Sequence, residues 1–178
     1  MQTSTRSGKS ALAGLFLAAT TLATPAFGAG PEPSDTKSCD KGMVWDGKTN
    51  KCVPATQGAI PDDGLADYAY LLAQEGRYEE ALATLDLLQN PETAEALNYR
   101  GYATRKLGRV DEGIAYYERA VALDPDYTLV REYLGEAYLI KGRPDLAKVQ
   151  LAEIEKRCGT TCEPYGDLAE AIATGPQG

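Results

Sequence analysis

The chain repeats itself three times between residues 62 and 157, and no other feature limits its fold as much. Leu65-x-x-Tyr68-Ala69-x-x-Leu72 aligns with Leu97-x-x-Arg100-Gly101-x-x-Thr104 and with Arg131-x-x-Leu134-Gly135-x-x-Tyr138. The same punctuation follows each: Glu75-Gly76-Arg77, Leu107-Gly108-Arg109 and Lys141-Gly142-Arg143. Small residues come next (Ala81, Gly113, Ala147), then larger ones (Leu85, Tyr117, Leu151), then Leu88, Ala120 and Ile154. The apolar spacing is helical, so each unit predicts two antiparallel helices joined at the Gly.

The spacing has a physical basis. Helices that cross closely need small residues at the crossing, so Ala69, Gly101 and Gly135 are expected to oppose Ala81, Gly113 and Ala147. A Gly just past a helix supplies the left-handed conformation that ends it. Pro91 and Pro125 are expected to end the second helices of the first two units, because the residue before Pro is pushed out of the α region. One helix pair cannot bury both its faces, so pairs stack into a solenoid.

The pattern resembles the tetratricopeptide repeat, at the period of about 34 residues characteristic of that family. The strongest stretch runs Ala96-Leu97-Asn98-Tyr99-Arg100-Gly101-Tyr102-Ala103-Thr104-Arg105-Lys106-Leu107-Gly108-Arg109 and continues to Ala120-Val121-Ala122-Leu123-Asp124-Pro125. The resemblance implies an all-α solenoid of about three repeats (62–93, 94–127, 128–157) that binds a protein or peptide in a concave groove lined by the first helices. Carried over by position, the groove comprises Asp63, Ala66, Tyr70, Ala73 and Gln74, then Glu95, Asn98, Tyr102, Arg105 and Lys106, then Leu129, Glu132, Glu136, Leu139 and Ile140. Tyr70, Tyr102 and Arg105 are the expected anchors, because aromatic and Arg side chains dominate interfaces. Asn98, Lys106, Glu132 and Glu136 complete the candidate set. Leu129, Leu139 and Ile140 are expected to be covered by neighbouring segments, and Tyr68, Tyr99, Tyr116, Tyr117, Tyr133 and Tyr138 to pack inside. The family's clamp for chaperone C-terminal carboxylates is missing, since its positions hold Ala66, Tyr70, Tyr99, Leu129 and Tyr133.

The flanks predict export. Arg6 and Lys9 precede an apolar run from Ala11 to Ala23, and small residues surround Ala26-Phe27-Gly28. This is the build of a secretory signal peptide over residues 1–28, with too short a run to span a bilayer. Residues 29–38 read as a flexible N-terminus. Cleavage after Gly28 leaves 16 basic and 26 acidic residues, a net charge of −10. Such a chain disfavours nucleic acid and anionic lipid as partners. Signal cleavage also leaves no segment expected to insert in a membrane.

Four Cys in an exported chain suggest two disulfides. Of the three connectivities, the local one is expected: Cys39–Cys52 and Cys158–Cys162 each bracket a turn-rich stretch. Residues 39–54 read as a β-hairpin, with Met43-Val44-Trp45 as one strand, Asp46-Gly47 as the turn, and Asn50 to Val53 as the return. Residues 55–61 read as a linker, 158–174 as a cap helix stapled by the second disulfide, and 175–178 as a tail.

Chemistry is hard to place on this inventory. The chain has no His, and no Ser lies beyond Ser38. Ser-His-Asp and Cys-His arrangements cannot be built, and no cofactor or metal site is expected. Asp62-Asp63, Glu79-Glu80 and Asp111-Glu112 fall at predicted helix starts, where the dipole favours them. The expected function is therefore an exported, non-enzymatic scaffold for protein interaction or assembly in the cell envelope, periplasmic or secreted. The alternative is an envelope glycan-binding protein, in which Trp45 of the hairpin stacks on a sugar and the array serves as an adaptor.

Overall fold

Three turns of one design set the architecture. In the computed structural model, which describes residues 38–175, α1 (Asp62–Gln74) ends where Gly76 takes φ +78°. There the Arg77 N–H reaches the Leu72 carbonyl (2.9 Å) and the Gly76 N–H the Ala73 carbonyl (3.1 Å), which satisfies orphan carbonyls of the last turn. The chain reverses into α2 (Tyr78–Leu85). The same pair of bonds recurs at Gly108, between α3 (Ala94–Lys106) and α4 (Val110–Leu123), and at Gly142, between α5 (Thr128–Ile140) and α6 (Pro144–Cys158). α7 (Glu163–Thr174) then packs on α5 and α6. Each pair packs internally and against the next, as in a tetratricopeptide solenoid. Among the described residues no helix is long and apolar enough to cross a membrane. The signal-peptide reading and most of the flexible N-terminus lie outside the described residues.

Helix ends follow local chemistry. The Thr93 hydroxyl accepts from the Ala96 N–H (3.1 Å) and caps α3. Pro144 opens α6, where its missing N–H costs nothing. α4 stops at Leu123 ahead of Pro125, as expected, and Arg131 donates twice to the Pro125 carbonyl (3.0 and 2.8 Å). α2 departs from expectation, because it ends at Leu85, well before Pro91. Tertiary bonds take over from the Pro signal there. The Asp62 carboxylate accepts from the Gln89 and Asn90 N–H groups (3.0 and 2.8 Å) and draws that strand of chain onto the start of α1.

The small residues do not simply face one another. A Cβ on Gly113 would lie 3.0 Å from the Gly101 carbonyl, so α3 and α4 do touch there. A Cβ on Gly101, however, would lie 2.7 Å from the Tyr117 ring, and one on Gly135 2.6 Å from Leu168 of α7. The latter two glycines make room for large side chains, not for another small one.

Both ends of the stack are covered. β1 (Met43–Asp46) pairs antiparallel with β2 (Lys51–Pro54), with Trp45 opposite Cys52. The Asp46 carboxylate accepts from the Lys48 N–H (2.9 Å) and the Thr49 hydroxyl (2.6 Å) and closes the turn. These bonds hold its acid below the usual carboxylate range. Asn50 adopts φ +54° as the last turn residue, so the return strand begins at Lys51, one residue later than expected. Cys39–Cys52 and Cys158–Cys162 are both disulfide-bonded.

The hairpin is part of the first pair's core. Cys39, Val44 and Ile60 are buried with Leu65, Tyr68 and Leu85. The Cys39 N–H donates to the Tyr68 hydroxyl (2.8 Å), and Arg77 donates to the Cys39 carbonyl (2.9 Å). Ile60 also anchors the 55–61 stretch, which is more than a spacer. A second cluster around Tyr117, Leu134 and Ala147 fills the later pairs.

Candidate functional groove

The face shared by α1, α3 and α5 carries a ladder of aromatic rings. Tyr70 stacks on Tyr99, with centroids 4.7 Å apart, and meets Tyr102 edge-on at 6.4 Å. Tyr102 lies 5.4 Å from Tyr133, and Tyr133 lies 6.2 Å from Tyr117. Offset and edge contacts of this kind add to plain area burial. Tyr70, Tyr102 and Tyr133 remain half-buried, so rings with already fixed positions stay accessible on this face.

Arg105 sits within the ladder, not at its surface. It is 4% exposed. Its guanidinium pairs with Glu136 at 3.1 Å, approaches the Tyr117 hydroxyl at 3.4 Å, and lies 5.6 and 5.9 Å from the Tyr102 and Tyr133 centroids. A buried cation is tolerable only when paired in this way. Arg105, expected as an anchor, is buried instead, where its guanidinium packs against the rings and pairs with Glu136. Lys106 is half-buried, with its ammonium 5.9 Å from the Tyr102 centroid.

The remaining candidates divide the same way. Asn98 is fully buried, with its amide nitrogen 3.3 Å from the Tyr127 hydroxyl and its carbonyl oxygen without a hydrogen bond. Glu132 is 5% exposed. Burial, then the carboxylates of Glu136, Asp167 and Glu163, push its acid up to about 8, against a weaker pull from Arg105. Glu136 is half-buried. Tyr70, Tyr102, Lys106 and Glu136 therefore stay partly exposed on this face, while Arg105, Asn98 and Glu132 are buried.

Some expectations fail on this face. Tyr133, expected inside, is half-buried and belongs to the ladder; Tyr99 is buried as expected and stacks against Tyr70. Each follows a groove position by one residue, and that adjacency was the available signal. Ile140, expected to be covered, is 38% exposed. Burial raises the Tyr102 and Tyr133 hydroxyls above their usual range, so both rings stay neutral.

A second concavity of about 300 Å³ lies between the hairpin and α2, lined by Met43, Ala55, Leu72, Glu80, Ala83 and Leu87 among others. Trp45 lines a third of about 190 Å³, with Asp46, Lys48, Asp63 and Asp67.

Comparison with known families agrees with this geometry. The tetratricopeptide repeat model matches residues 94–127, which hold α3, α4 and the centre of the ladder. No curated protein matches the chain. Repeats of this type generally mediate protein–protein interaction or assembly, typically without catalysis. With that match in the middle pair and the same Gly-turned build before and after it, the chain is a tetratricopeptide-repeat protein.

Proposed function

We propose that the protein is a non-enzymatic scaffold of the cell envelope that holds one protein or peptide partner on the α1–α3–α5 face. The observation that carries this reading is the half-exposed ladder of Tyr70, Tyr102 and Tyr133, braced by Arg105. Rigid aromatics supply contact area at low entropic cost, the usual source of interface hot spots. Two disulfides are compatible with an oxidising compartment. Together with the signal-like residues 1–28 they support export, to the periplasm or beyond.

The test is affinity capture from envelope extract with the full chain, comparing wild type with Tyr70→Ala/Tyr102→Ala. A partner retained by the wild type is lost in the double variant, whose helicity and melting are followed in parallel. Capture that is equal in both forms refutes the groove.

The glycan reading rests on Trp45 and the carboxylates of its shallow depression. Burial of Cys39 and Val44 in the first pair's core gives the hairpin a structural role that explains it without a sugar. Retention of the full chain on peptidoglycan, abolished by Trp45→Ala, would restore the glycan reading.

A further inference from the structure

The two disulfides sit in unlike surroundings. Cys39–Cys52 is built into the first pair's core: Cys39 is buried with Val44 and Leu65, its N–H donates to the Tyr68 hydroxyl (2.8 Å), and its carbonyl accepts from Arg77 (2.9 Å). Cys158–Cys162 lies at the surface. Cys158 is the last residue of α6 and is exposed, Cys162 caps the start of α7 and is half-buried, and Thr160 and Thr161 between them are exposed. Its sequence separation is 4, against 13 for the first bridge, so it constrains the unfolded chain less and stabilises the fold less. Beyond it α7 rests on α5 and α6 through an apolar face. Leu168 fills the space beside Gly135, with Ala171 buried and Ile172 half-buried on the same helix.

Thiol–disulfide exchange depends on which sulfur can be reached and which thiolate leaves easily. Cys52 is exposed as well, but attack there would expel the Cys39 thiolate into an apolar core, where it is a poor leaving group. Attack on Cys158 expels the Cys162 thiolate at the N-terminus of α7, whose terminal N–H groups favour negative charge. The exposed Glu163 carboxylate opposes this across water, which screens it.

We propose that Cys158–Cys162 is a redox clasp on α7, opened by a protein dithiol of the Cys-x-x-Cys class while Cys39–Cys52 stays closed. A thiolate of the reductant forms a bond to the Cys158 Sγ, the bond between Cys158 and Cys162 breaks, and Cys162 leaves as the thiolate. The second thiol of the reductant gives its proton to water, attacks its own partner sulfur in the mixed disulfide, and releases Cys158 as a thiolate. The reductant ends as a disulfide, two electrons have passed to the bridge, and the freed sulfurs take up protons from water. With the clasp open, α7 depends on its apolar face and opens from α5 more often, uncovering the space beside Gly135. The clasp is independent of what the groove binds.

The test exposes the oxidised full-length protein to reduced thioredoxin, quenches with iodoacetamide over time, and measures alkylation of each Cys by mass after digestion. Cys158 and Cys162 are labelled about tenfold faster than Cys39 and Cys52, or faster still. Hydrogen exchange of the selectively reduced protein rises about tenfold in α7 and in the α5 amides around Gly135, and stays unchanged in α1. Cys158→Ser/Cys162→Ser reproduces that exchange pattern without reductant. Reduction of both bridges at one rate, of Cys39–Cys52 first, or of neither overturns the clasp. Selective reduction that leaves exchange in α7 unchanged overturns it too, because the bridge would then hold nothing in place.

Discussion

Glu132→Gln should make the protein more stable at alkaline pH and nearly neutral in effect at acid pH. In the fold the acid titrates at about 8, against an ordinary value of 4.5. Between those values the native chain holds a proton that the unfolded chain has released. Stability therefore falls as pH rises through the interval and levels off above it. At about 1.4 kcal/mol per pH unit the interval sets a ceiling near 5 kcal/mol. Water at the mouth and side-chain relaxation bring the expected loss to roughly 2–3 kcal/mol. Gln mimics the protonated acid and removes this term. Urea unfolding of both proteins from pH ~5 to ~9 gives the difference directly. The chain has no His, so no side chain of ordinary pKa competes in that window. The variant's advantage should be small near pH ~5 and grow steadily up to pH ~8. Parallel stability curves, or an advantage that shrinks with pH, refute the reading of Glu132 as a buried neutral acid.

Three further perturbations test the packing. Gly135→Ala places a Cβ 2.6 Å from the fully buried Leu168, which should cost about 2 kcal/mol and raise hydrogen exchange across α7; adding Leu168→Ala should restore part of the loss, and no rescue contradicts the contact. Asp62→Ala removes the acceptor for the Gln89 and Asn90 N–H groups, which should lower stability by about 1–2 kcal/mol and speed exchange at those two amides first. Cys39→Ala/Cys52→Ala opens a loop of sequence separation 13 and should cost about 3 kcal/mol in thermal or urea melts, with the loss centred on α1 and α2, which share the hairpin's core.

Local signals announced much of the fold. Gly76, Gly108 and Gly142 named the three turns because only Gly enters the left-handed region cheaply. Cys39 and Cys52 flanked a turn, and their pairing followed. What stayed hidden depended on neighbours distant in sequence. α2 ends at Leu85 because Asp62 captures the chain beyond it, a contact that no helix signal in 78–91 reveals. Gly135 reads as a crossing residue, yet it accommodates Leu168 of a helix two elements later.

The groove was half legible. Family positions pointed to Tyr70 and Tyr102, which lie half-buried in the ring ladder, but periodicity could not tell that Arg105 and Glu132 would be buried. Arg105 is buried beside Tyr117 and Tyr133, which come from helices later in the chain.

The central claim is that a partner lies on the α1–α3–α5 face. Photo-crosslinking in the intact envelope tests it most directly, with a benzophenone side chain at position 102 and a control at the exposed, outward Leu123 of α4. The account predicts one discrete crosslinked species from position 102 and none from position 123. Crosslinking from position 123 alone, or from a probe at Trp45 of the hairpin but not from position 102, contradicts it.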